Sequence, residues 1–319
     1  MTKILVTALS FSKYSKEPIE ILKKAGCEVV WNPTGLPLNE DQLCQLVADC
    51  EGIIVGVDPI TRQVLEAGKK LKVVAKHGVG VDNIDIQAAA LLGIQVTNGP
   101  DTNSEAVADL TFGLLLAAAR SIPFADKSTR EGKWPRLVGP ELYRKKLGIL
   151  GLGAIGKRVA KRATGFSMEI LAYDVYQDTA FAAAHNVRYA SLEEVLRESD
   201  FVTLNLPLLP DTREIINERT LAMMKPNAYL VNTARGELID ERALCKALKS
   251  GQLAGAALDA FIQEPPPADL PLLQLPNVVV TPHMGAYSYE ANRNMGMAAA
   301  VNILAVLRGE TPPNLVKPK

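Results

Sequence analysis

Leu147 to Gly156 reads L-G-I-L-G-L-G-A-I-G, a short apolar run that leads into three glycines. Gly151, Gly153 and Gly156 have the G-x-G-x-x-G spacing of a dinucleotide-binding turn. In such a turn the first glycine permits the bend, the second lets the backbone approach a pyrophosphate, and the third lets the helix pack on the strand. The spacing predicts a strand, a turn and a helix with a dinucleotide on the turn; a structural turn without a ligand is the alternative.

The residues after the turn support the dinucleotide interpretation. Ala154 to Arg162 is predicted to be a helix, whose free N–H groups and positive dipole end would face the phosphates. A second predicted strand, Glu169 to Tyr173, ends at Asp174. This is about where a carboxylate would meet the adenosine ribose hydroxyls.

Length and composition restrict the function classes. A chain of 319 residues is expected to form two domains, and its 35 basic and 35 acidic residues indicate neither nucleic acid nor a membrane surface as a partner. No apolar run approaches the roughly 20 residues of a membrane span. Met1 to Thr7 is predicted to be a first strand, not a signal peptide. The four cysteines have neither C-x-x-C spacing nor histidine neighbours, so we expect reduced thiols, a cytoplasmic protein and no metal site.

Short strands alternate with helical patterns in the first third of the chain. The predicted strands are Ile4 to Thr7, Val29 to Trp31, Ile53 to Val55, Val73 to Ala75 and Gln95 to Thr97. This alternation predicts an α/β fold with a doubly wound parallel sheet. The loop K-H-G-V-G-V-D-N, Lys76 to Asn83, follows the fourth strand, and its two glycines permit close approach to a ligand. An ordinary turn is the alternative.

The pattern changes near Asp101 and then resumes. Thr102-x-x-Glu105 is predicted to be a capping box that opens an apolar helix, buried between domains or between subunits. Residues 121–146 are predicted to be irregular, and Ser191-x-x-Glu194 to open a short helix. Further strands are predicted at 201–204, 229–232, 256–258 and 278–281. Helices are predicted at 241–249, ending at Gly251 as C-cap, and at 287–307.

Three polar residues, Arg235, Asp259 and His283, follow predicted strands in the second half. Ligand-contacting groups of an open α/β sheet lie at these strand ends. Reduction of a 2-keto acid by a nicotinamide needs a proton donor at the carbonyl oxygen and a cation at the carboxylate. His283 suits the first task because imidazole titrates near neutral pH. Arg235 suits the second because a guanidinium binds a carboxylate bidentately.

Glu264, in a Pro-rich loop, is a further candidate for catalysis besides His283 and Arg235. Near His283 it would orient the imidazole and favour the protonated form; a solvated carboxylate is the alternative. A structural imidazole is the alternative for His283, and a surface salt bridge for Arg235. His77 is a candidate for substrate contact, whereas His185 ends a helical run and is expected to interact with the helix dipole.

Five ordered motifs make the sequence resemble the D-isomer-specific 2-hydroxyacid dehydrogenase family over essentially the whole chain. They are G-V-G-V-D-N at Gly78 to Asn83, G-L-G-A-I-G at Gly151 to Gly156, N-T-A-R-G at Asn232 to Gly236, the segment Asp259 to Pro266, and P-H-M-G-A at Pro282 to Ala286.

The resemblance implies a role for each matching residue. His283 would be the general acid/base, Glu264 its partner, and Arg235 the substrate anchor. The substrate carboxylate would bind the loop formed by Lys76, His77, Gly78, Val79 and Gly80. The cofactor would contact Gly151, Gly153, Ala154, Ile155, Gly156, Asp174, Leu206, Pro207, Thr233, Ala234, Asp259, Gly285 and Ala286, with Asp259 reaching the carboxamide.

The resemblance also implies two Rossmann-like doubly wound domains and a homodimer formed largely through the nucleotide domain. The substrate-binding domain would be discontinuous, with residues 1–100 and 288–319, and the NAD-binding domain would be residues 101–287. Asp174 is followed by Val175 and Tyr176, with no arginine, which favours NAD over NADP because an acid repels the extra phosphate.

Within the family, the sequence is most similar to short D-3-phosphoglycerate dehydrogenases that lack a C-terminal regulatory domain. Lys76 and Arg136 match basic positions near the substrate phosphate. Gly56 stands where an arginine is common, Asn205 replaces a frequent histidine, and His77 replaces a small residue. These departures keep a glyoxylate or hydroxypyruvate reductase as an alternative, and a binding protein that senses NAD(H) without turnover as another.

Overall fold

Residues 1–318 are described by a computed structural model, in which the chain divides into two compact units. Unit 1 comprises Met1–Asn103 together with the chain from Ala286 onward, and unit 2 comprises Ser104–Gly285. Unit 1 begins with β1 (Lys3–Val6), α1 (Glu17–Lys24), β2 (Glu28–Trp31), α2 (Glu40–Val47), β3 (Gly52–Val55), α3 (Arg62–Ala67), β4 (Val73–Lys76), α4 (Ile86–Leu91) and β5 (Gln95–Thr97).

Unit 2 follows, and the last helix returns the chain to unit 1. The helices and strands of unit 2 are α5 (Ser104–Ala119), α6 (Ile122–Arg130), β6 (Lys146–Leu150), α7 (Ala154–Gly165), β7 (Glu169–Tyr173), α8 (Thr179–Ala184), β8 (Val187–Tyr189), α9 (Leu192–Glu198), β9 (Phe201–Leu204), α10 (Glu218–Leu221), β10 (Tyr229–Asn232), α11 (Glu241–Ser250), β11 (Gly255–Leu258) and β12 (Val278–Val280). The last helix of the described chain is α12 (Tyr289–Leu307).

Each unit has one parallel sheet among the described residues, so the predicted fold class is confirmed. The strand order is β2-β1-β3-β4-β5 in unit 1 and β12-β11-β10-β9-β6-β7-β8 in unit 2. In unit 2 the chain proceeds outward from β6 on one side and then from β9 on the other. The carboxyl ends of these two strands therefore form the crevice where an open α/β sheet binds ligands.

Both faces of the unit 2 sheet are apolar, as expected for parallel strands covered by helices. On one face α5 and α7 pack against the sheet through Leu115, Val159 and Ala163, which are fully or almost fully buried. The other face packs on residues of α9, α10 and α11. The apolar helix predicted after Asp101 is α5, and it is buried on its own unit.

Most of the helix-end predictions hold in the structure. Ser191 and Glu194 form the predicted capping box at the start of α9. Gly251 ends α11 in the left-handed conformation, with φ of +74°. Among residues 1–318 no single helix is long and apolar enough to cross a membrane; α5 and α6 meet that test only as a pair bent by 62°.

Two local predictions are wrong. Thr102 does not cap α5, because the helix begins two positions later and the Thr102 hydroxyl donates to the carbonyl of Gly99 (2.7 Å). Glu105 instead accepts hydrogen bonds from Arg158 and Arg162 of α7, both at 2.8 Å. The segment 121–146 is not irregular throughout, since α6 occupies its first part.

Candidate active site

The glycine turn between β6 and α7 has a separate steric reason for each glycine. Gly151 has φ of +95°, and a side chain there would lie 2.8 Å from the backbone of Asn205. A side chain on Gly156 would overlap the carbonyl oxygen of Gly151, so the helix could not pack on the turn. At Gly153 the position of a side chain is open, with no atom within 4 Å. The turn therefore leaves room for a ligand at the one glycine that the pattern assigns to a pyrophosphate.

The amino end of α7 is suited to an anion. Gly153 is the residue before the first helical turn, and its lack of a side chain leaves the helix without a side-chain cap. The first backbone N–H groups of a helix have no partner inside the helix and carry its positive dipole end. Ala154 and Ile155 lie at this end, as the sequence predicts for contacts with phosphate.

Asp174 lies beside the same turn. One carboxylate oxygen accepts a hydrogen bond from the Leu152 amide at 2.7 Å, and the other accepts one from the Tyr176 amide at 3.0 Å. These two bonds hold the carboxylate at the carboxyl end of β7, next to the strand that leads into the glycine turn. The arrangement fits a dinucleotide whose ribose hydroxyls donate to the remaining lone pairs of the carboxylate.

The predicted catalytic residues follow neighbouring strands of unit 2. Arg235 comes after β10, Asp259 directly after β11, and His283 after β12, and these three strands are adjacent and parallel. Their carboxyl ends therefore lie on one edge of the sheet. This edge is the one to which the glycine turn also belongs.

His283 and Glu264 are in direct contact. Nδ1 of His283 lies 2.6 Å from Oε2 of Glu264, and the Phe261 amide donates to Oε1 at 3.0 Å. Burial by itself raises the pKa of Glu264, but the bonds from His283 and Phe261 and the charge of Arg235 outweigh it and lower the pKa. The carboxylate is therefore ionised at neutral pH and accepts, so Nδ1 carries the proton and Nε2 is directed elsewhere.

The two side chains are 45% and 38% exposed, so the imidazole can reach a small molecule. His283 has φ of +49°, a left-handed backbone that is uncommon for a residue other than glycine. Such conformations persist where the surroundings enforce them, and they cluster at functional sites. Asp259 is one of the residues that hold the backbone around His283.

Asp259 is 1% exposed and fixes the loop that carries His283. Its Oδ1 accepts from the Thr281 hydroxyl at 2.6 Å and from the Met284 amide at 2.8 Å, and its Oδ2 accepts from the Gly285 amide at 2.8 Å. The sequence predicts Asp259 as a cofactor contact. It does not reveal that Asp259 also holds the loop after β12, because the residues that donate to it follow a different strand.

The turn that carries Arg235 is organised by Asn232, a residue that sequence reasoning missed. The fully buried Asn232 side chain donates to the carbonyl of Arg235 at 2.7 Å and accepts from the Ala234 amide at 3.0 Å. Gly236 packs against Phe261 so closely that a side chain there would overlap its backbone. The guanidinium Nη1 donates to the carbonyl of Ala234 at 2.8 Å. The sequence signal for this role of Asn232 is that a polar residue ends an otherwise apolar strand.

The other predicted cofactor residues of unit 2 also lie beyond strand ends. Leu206 is buried and Pro207 exposed after β9, whereas Thr233 and Ala234 are half-buried after β10. Gly285 is buried beside Asp259, and a side chain at Gly285 would lie 3.2 Å from Oδ2 of that residue. Ala286 is the first residue after unit 2.

The predicted substrate loop follows β4 in unit 1. Nζ of Lys76 donates to the carbonyl of Gly56 at 2.6 Å and to Oδ1 of Asn83 at 2.7 Å. Gly78 has φ of +144°, which only glycine adopts readily, and its carbonyl accepts from the Gly99 amide at 2.8 Å. Val79 and Gly80 follow at the surface. The loop thus has a fixed backbone and an ordered ammonium group.

The imidazole of His77 lies inside unit 1 and not on the loop surface. It is 7% exposed and meets the ring of Phe11 edge-on, with 6.0 Å between the ring centres. Burial lowers the pKa of His77 to about 4. A neutral, enclosed imidazole makes His77 part of the packing beneath the loop.

Arg136 lies in unit 2, on the exposed segment after α6. With Ala125, Thr129, Trp134, Pro135 and Leu137 it lines a surface recess of about 370 Å³. Among residues 1–318, no group of three or more His, Cys, Asp or Glu side chains is arranged to hold a metal ion.

Known proteins resemble the chain in both sequence and structure. Residues 112–285 match the model of the D-isomer specific 2-hydroxyacid dehydrogenase, NAD binding domain. A D-3-phosphoglycerate dehydrogenase of Methanocaldococcus jannaschii is 46% identical over 321 residues, which cover 99% of this chain and 59% of that protein. A glyoxylate reductase of Korarchaeum cryptofilum is 46% identical over 287 residues, which cover 88% of this chain and 86% of that protein.

A solved structure, the TT0316 protein from Thermus thermophilus, has a TM-score of 0.91 to the chain and 39% sequence identity. The match covers 99% of this chain and 100% of that one. The chain therefore spans less than two thirds of its Methanocaldococcus relative and the whole of the solved Thermus chain.

Proposed function

Because the chain belongs to the D-isomer specific 2-hydroxyacid dehydrogenase family and is an NAD-dependent oxidoreductase, we propose that it interconverts D-3-phosphoglycerate and phosphohydroxypyruvate. This reaction would place it in serine biosynthesis. When bound, the nicotinamide accepts or supplies the hydride at C2 of the acid. The part that the protein's own residues play is to hold the acid and to move one proton.

His283 moves that proton. In keto-acid reduction Nε2 of the protonated ring donates to the carbonyl oxygen as the hydride reaches the carbon, and in alcohol oxidation neutral Nε2 accepts the hydroxyl proton. The single observation that carries this assignment is the 2.6 Å contact between Nδ1 of His283 and Glu264. An ionised carboxylate accepts from Nδ1, orients the imidazole and keeps Nε2 directed away from Glu264.

Arg235 holds the acid in unit 2. A guanidinium after β10, next in the sheet to the strand that precedes Glu264, binds the substrate carboxylate and polarises the carbonyl group. In unit 1, the glycines of the Lys76 loop let backbone N–H groups approach an anion. This division of labour makes unit 2 the NAD-binding domain and unit 1 the substrate-binding domain.

The phosphorylated substrate is supported by Lys76. Two hydrogen bonds fix its ammonium group at the carboxyl end of β4, and a fixed cation is suited to a phosphate. The Methanocaldococcus relative is named for the same reaction. Glyoxylate is the second candidate substrate. Gly56 favours it, because this position contributes a backbone carbonyl and no cationic side chain. The Korarchaeum relative is named a glyoxylate reductase.

Initial rates of NADH oxidation with phosphohydroxypyruvate, hydroxypyruvate and glyoxylate test the proposal. We expect kcat/KM for the phosphorylated acid to be about a hundredfold higher, or about 2.7 kcal/mol. Lys76→Met should remove this preference. The matched control is Lys72→Met, which removes an exposed lysine paired with Glu51. Equal use of all three acids would reject the phosphate site and favour the reductase.

We also propose a homodimer formed through unit 2. Helix α6 and the segment after it expose a group of apolar side chains that a monomer leaves in water, with Trp134 86% exposed. Its other members are Ile122, Phe124, Leu137 and Val138. Exposed apolar patches of this kind mark association surfaces. Sedimentation of the wild type and of Trp134→Glu tests the assignment, and a monomeric wild type would reject it.

A further inference from the structure

Thr111 is a polar residue in the middle of the apolar helix α5, and it is fully buried. Its hydroxyl donates to the carbonyl of Val107, one turn earlier, at 2.8 Å. It also lies 3.0 Å from the hydroxyl of Thr233, which follows β10 in unit 2. The bond to Val107 alone satisfies a buried hydroxyl inside a helix. The contact with Thr233 therefore needs a separate explanation.

The two contacts fix the direction of the second hydrogen bond. A threonine hydroxyl has one proton and two acceptor lone pairs. Thr111 gives its proton to Val107, so it can only accept from Thr233. Thr233 therefore donates towards α5, and the hydroxyl of this half-buried residue has only lone pairs left for a ligand.

The neighbourhood connects this pair to the cofactor site. A side chain at Gly285 would lie 3.2 Å from Asp259 and 3.4 Å from Val107, so the first turns of α5 border the residues predicted to contact the cofactor. The glycine turn follows β6 and Asp174 follows β7, whereas Thr233 follows β10 on the other side of the crevice. A dinucleotide with its adenosine half over β7 has its nicotinamide half on the β10 side.

We propose that Thr111 is a positioning residue that makes Thr233 a fixed acceptor for the carboxamide NH₂ of the nicotinamide. The carboxylate and carbonyl groups of a 2-keto acid only accept hydrogen bonds, so they cannot pair with an acceptor. The donors in the nicotinamide half of the cofactor are the carboxamide NH₂ and the ribose hydroxyls, and we assign Thr233 to the carboxamide. An oriented carboxamide fixes which face of the ring meets the substrate. The inference depends on NAD binding and not on which acid is reduced.

Binding of reduced cofactors, measured by isothermal titration calorimetry, tests the proposal. NADH is compared with its 3-acetylpyridine analogue, in which a methyl group replaces the carboxamide NH₂. Thr111→Val, which has nearly the same shape, should bind NADH about fivefold more weakly, the effect of losing one neutral hydrogen bond. Its affinity for the analogue should match that of the wild type, and Thr111→Ser should restore NADH binding.

The matched control is Ser199→Ala. Ser199 is fully buried in unit 2 and donates to the carbonyl one turn earlier, at Val195, as Thr111 does, but it belongs to the α9 side of the sheet. Its loss should leave both affinities unchanged. If Thr111→Val fails to fold, Thr233→Ala tests the same bond from the other side and should show the same selective loss.

Equal weakening for NADH and the analogue, or no weakening for either, would overturn the inference while NAD binding stands. A wild type that binds neither cofactor would overturn both the cofactor assignment and the inference. Loss of the preference for phosphohydroxypyruvate alone would affect only the proposed substrate.

Discussion

Nδ1 of His283 lies 2.6 Å from Oε2 of Glu264, although the residues come from different loops of unit 2. The Phe261 amide holds the other carboxylate oxygen, so the acid has one fixed orientation. The hydrogen bonds and the charge of Arg235 lower the pKa of Glu264 against the effect of burial. The stabilisation from this pair is therefore present above the ordinary carboxyl pKa and is lost as the pH falls through the lowered value.

Glu264→Gln should decrease kcat/KM for keto-acid reduction by about tenfold to a hundredfold, the range typical of general acid/base effects. Glutamine keeps the shape but removes the carboxylate that accepts from Nδ1 of His283 and orients the ring. Glu241→Gln is the control, because Glu241 accepts from the Ile262 amide in the same loop and not from His283. An unchanged kcat/KM in the Glu264 variant would contradict the assigned partnership.

Asp259→Asn should lower the free energy of unfolding by about 2–3 kcal/mol, because an amide NH₂ group would face buried N–H or O–H donors. It should also decrease kcat more than the loss of stability explains, since Asp259 holds the loop that carries His283. Asp200→Asn is the control. Asp200 also accepts from a backbone amide, that of Lys146, but it lies before β9 and not after a strand. Comparable loss of turnover in both variants would mean that stability alone accounts for the effect.

The sequence predicts those features that depend on short stretches of chain. Three glycines at fixed spacing specify the turn after β6, and apolar runs bounded by polar residues locate strands such as β9 and β10 to the residue. The carboxyl ends of parallel strands then bring His283 and Arg235 to one edge without any knowledge of their contacts. Fold and candidate catalytic residues follow from these local signals.

Features that depend on tertiary partners are not predictable in this way. Glu105 fits a capping box by spacing, but the arginines of α7 compete for it. Asn232 has a local environment typical of a strand end, and only the path of the following turn reveals its bonds to Ala234 and Arg235. His77 looks accessible beside two glycines, and its burial depends on Phe11, far away in the sequence.

Asp174→Ala should narrow the preference for NAD over NADP by about tenfold, equivalent to about 1.4 kcal/mol. The carboxylate accepts from Leu152 and Tyr176, so it is held near the ribose position and repels a 2′-phosphate. The ratio of kcat/KM values for the two cofactors is the measurement. Glu169→Gln removes a carboxylate from the opposite end of β7 and should leave the ratio unchanged. An unaltered ratio in the Asp174 variant would place ribose recognition elsewhere.

His77 should make the protein less stable in acid. Burial lowers its pKa to about 4, with a contribution from the charge of Lys76, while the backbone carbonyls of His77 and Asn292 oppose the shift. A histidine in the unfolded chain has a pKa of about 6.5. The unfolded state therefore binds the proton more readily, and stability that is complete above pH 6.5 is lost as the pH falls towards 4.

The linkage predicts that His77 costs the wild type about 2 kcal/mol of unfolding free energy between pH 7 and pH 5. Urea unfolding at both pH values should show that the free energy of unfolding of His77→Leu decreases less between pH 7 and pH 5 than that of the wild type, by this amount. The comparison holds whatever the stability of the variant at pH 7. Phe11→Leu, which removes packing against the imidazole but no titrating group, should be destabilised by nearly the same amount at both pH values. If His77→Leu lost as much stability between pH 7 and pH 5 as the wild type does, the imidazole would have to accept a proton in place. Lys76 would then share the base of its loop with a second positive charge, and His77 would contribute to anion binding.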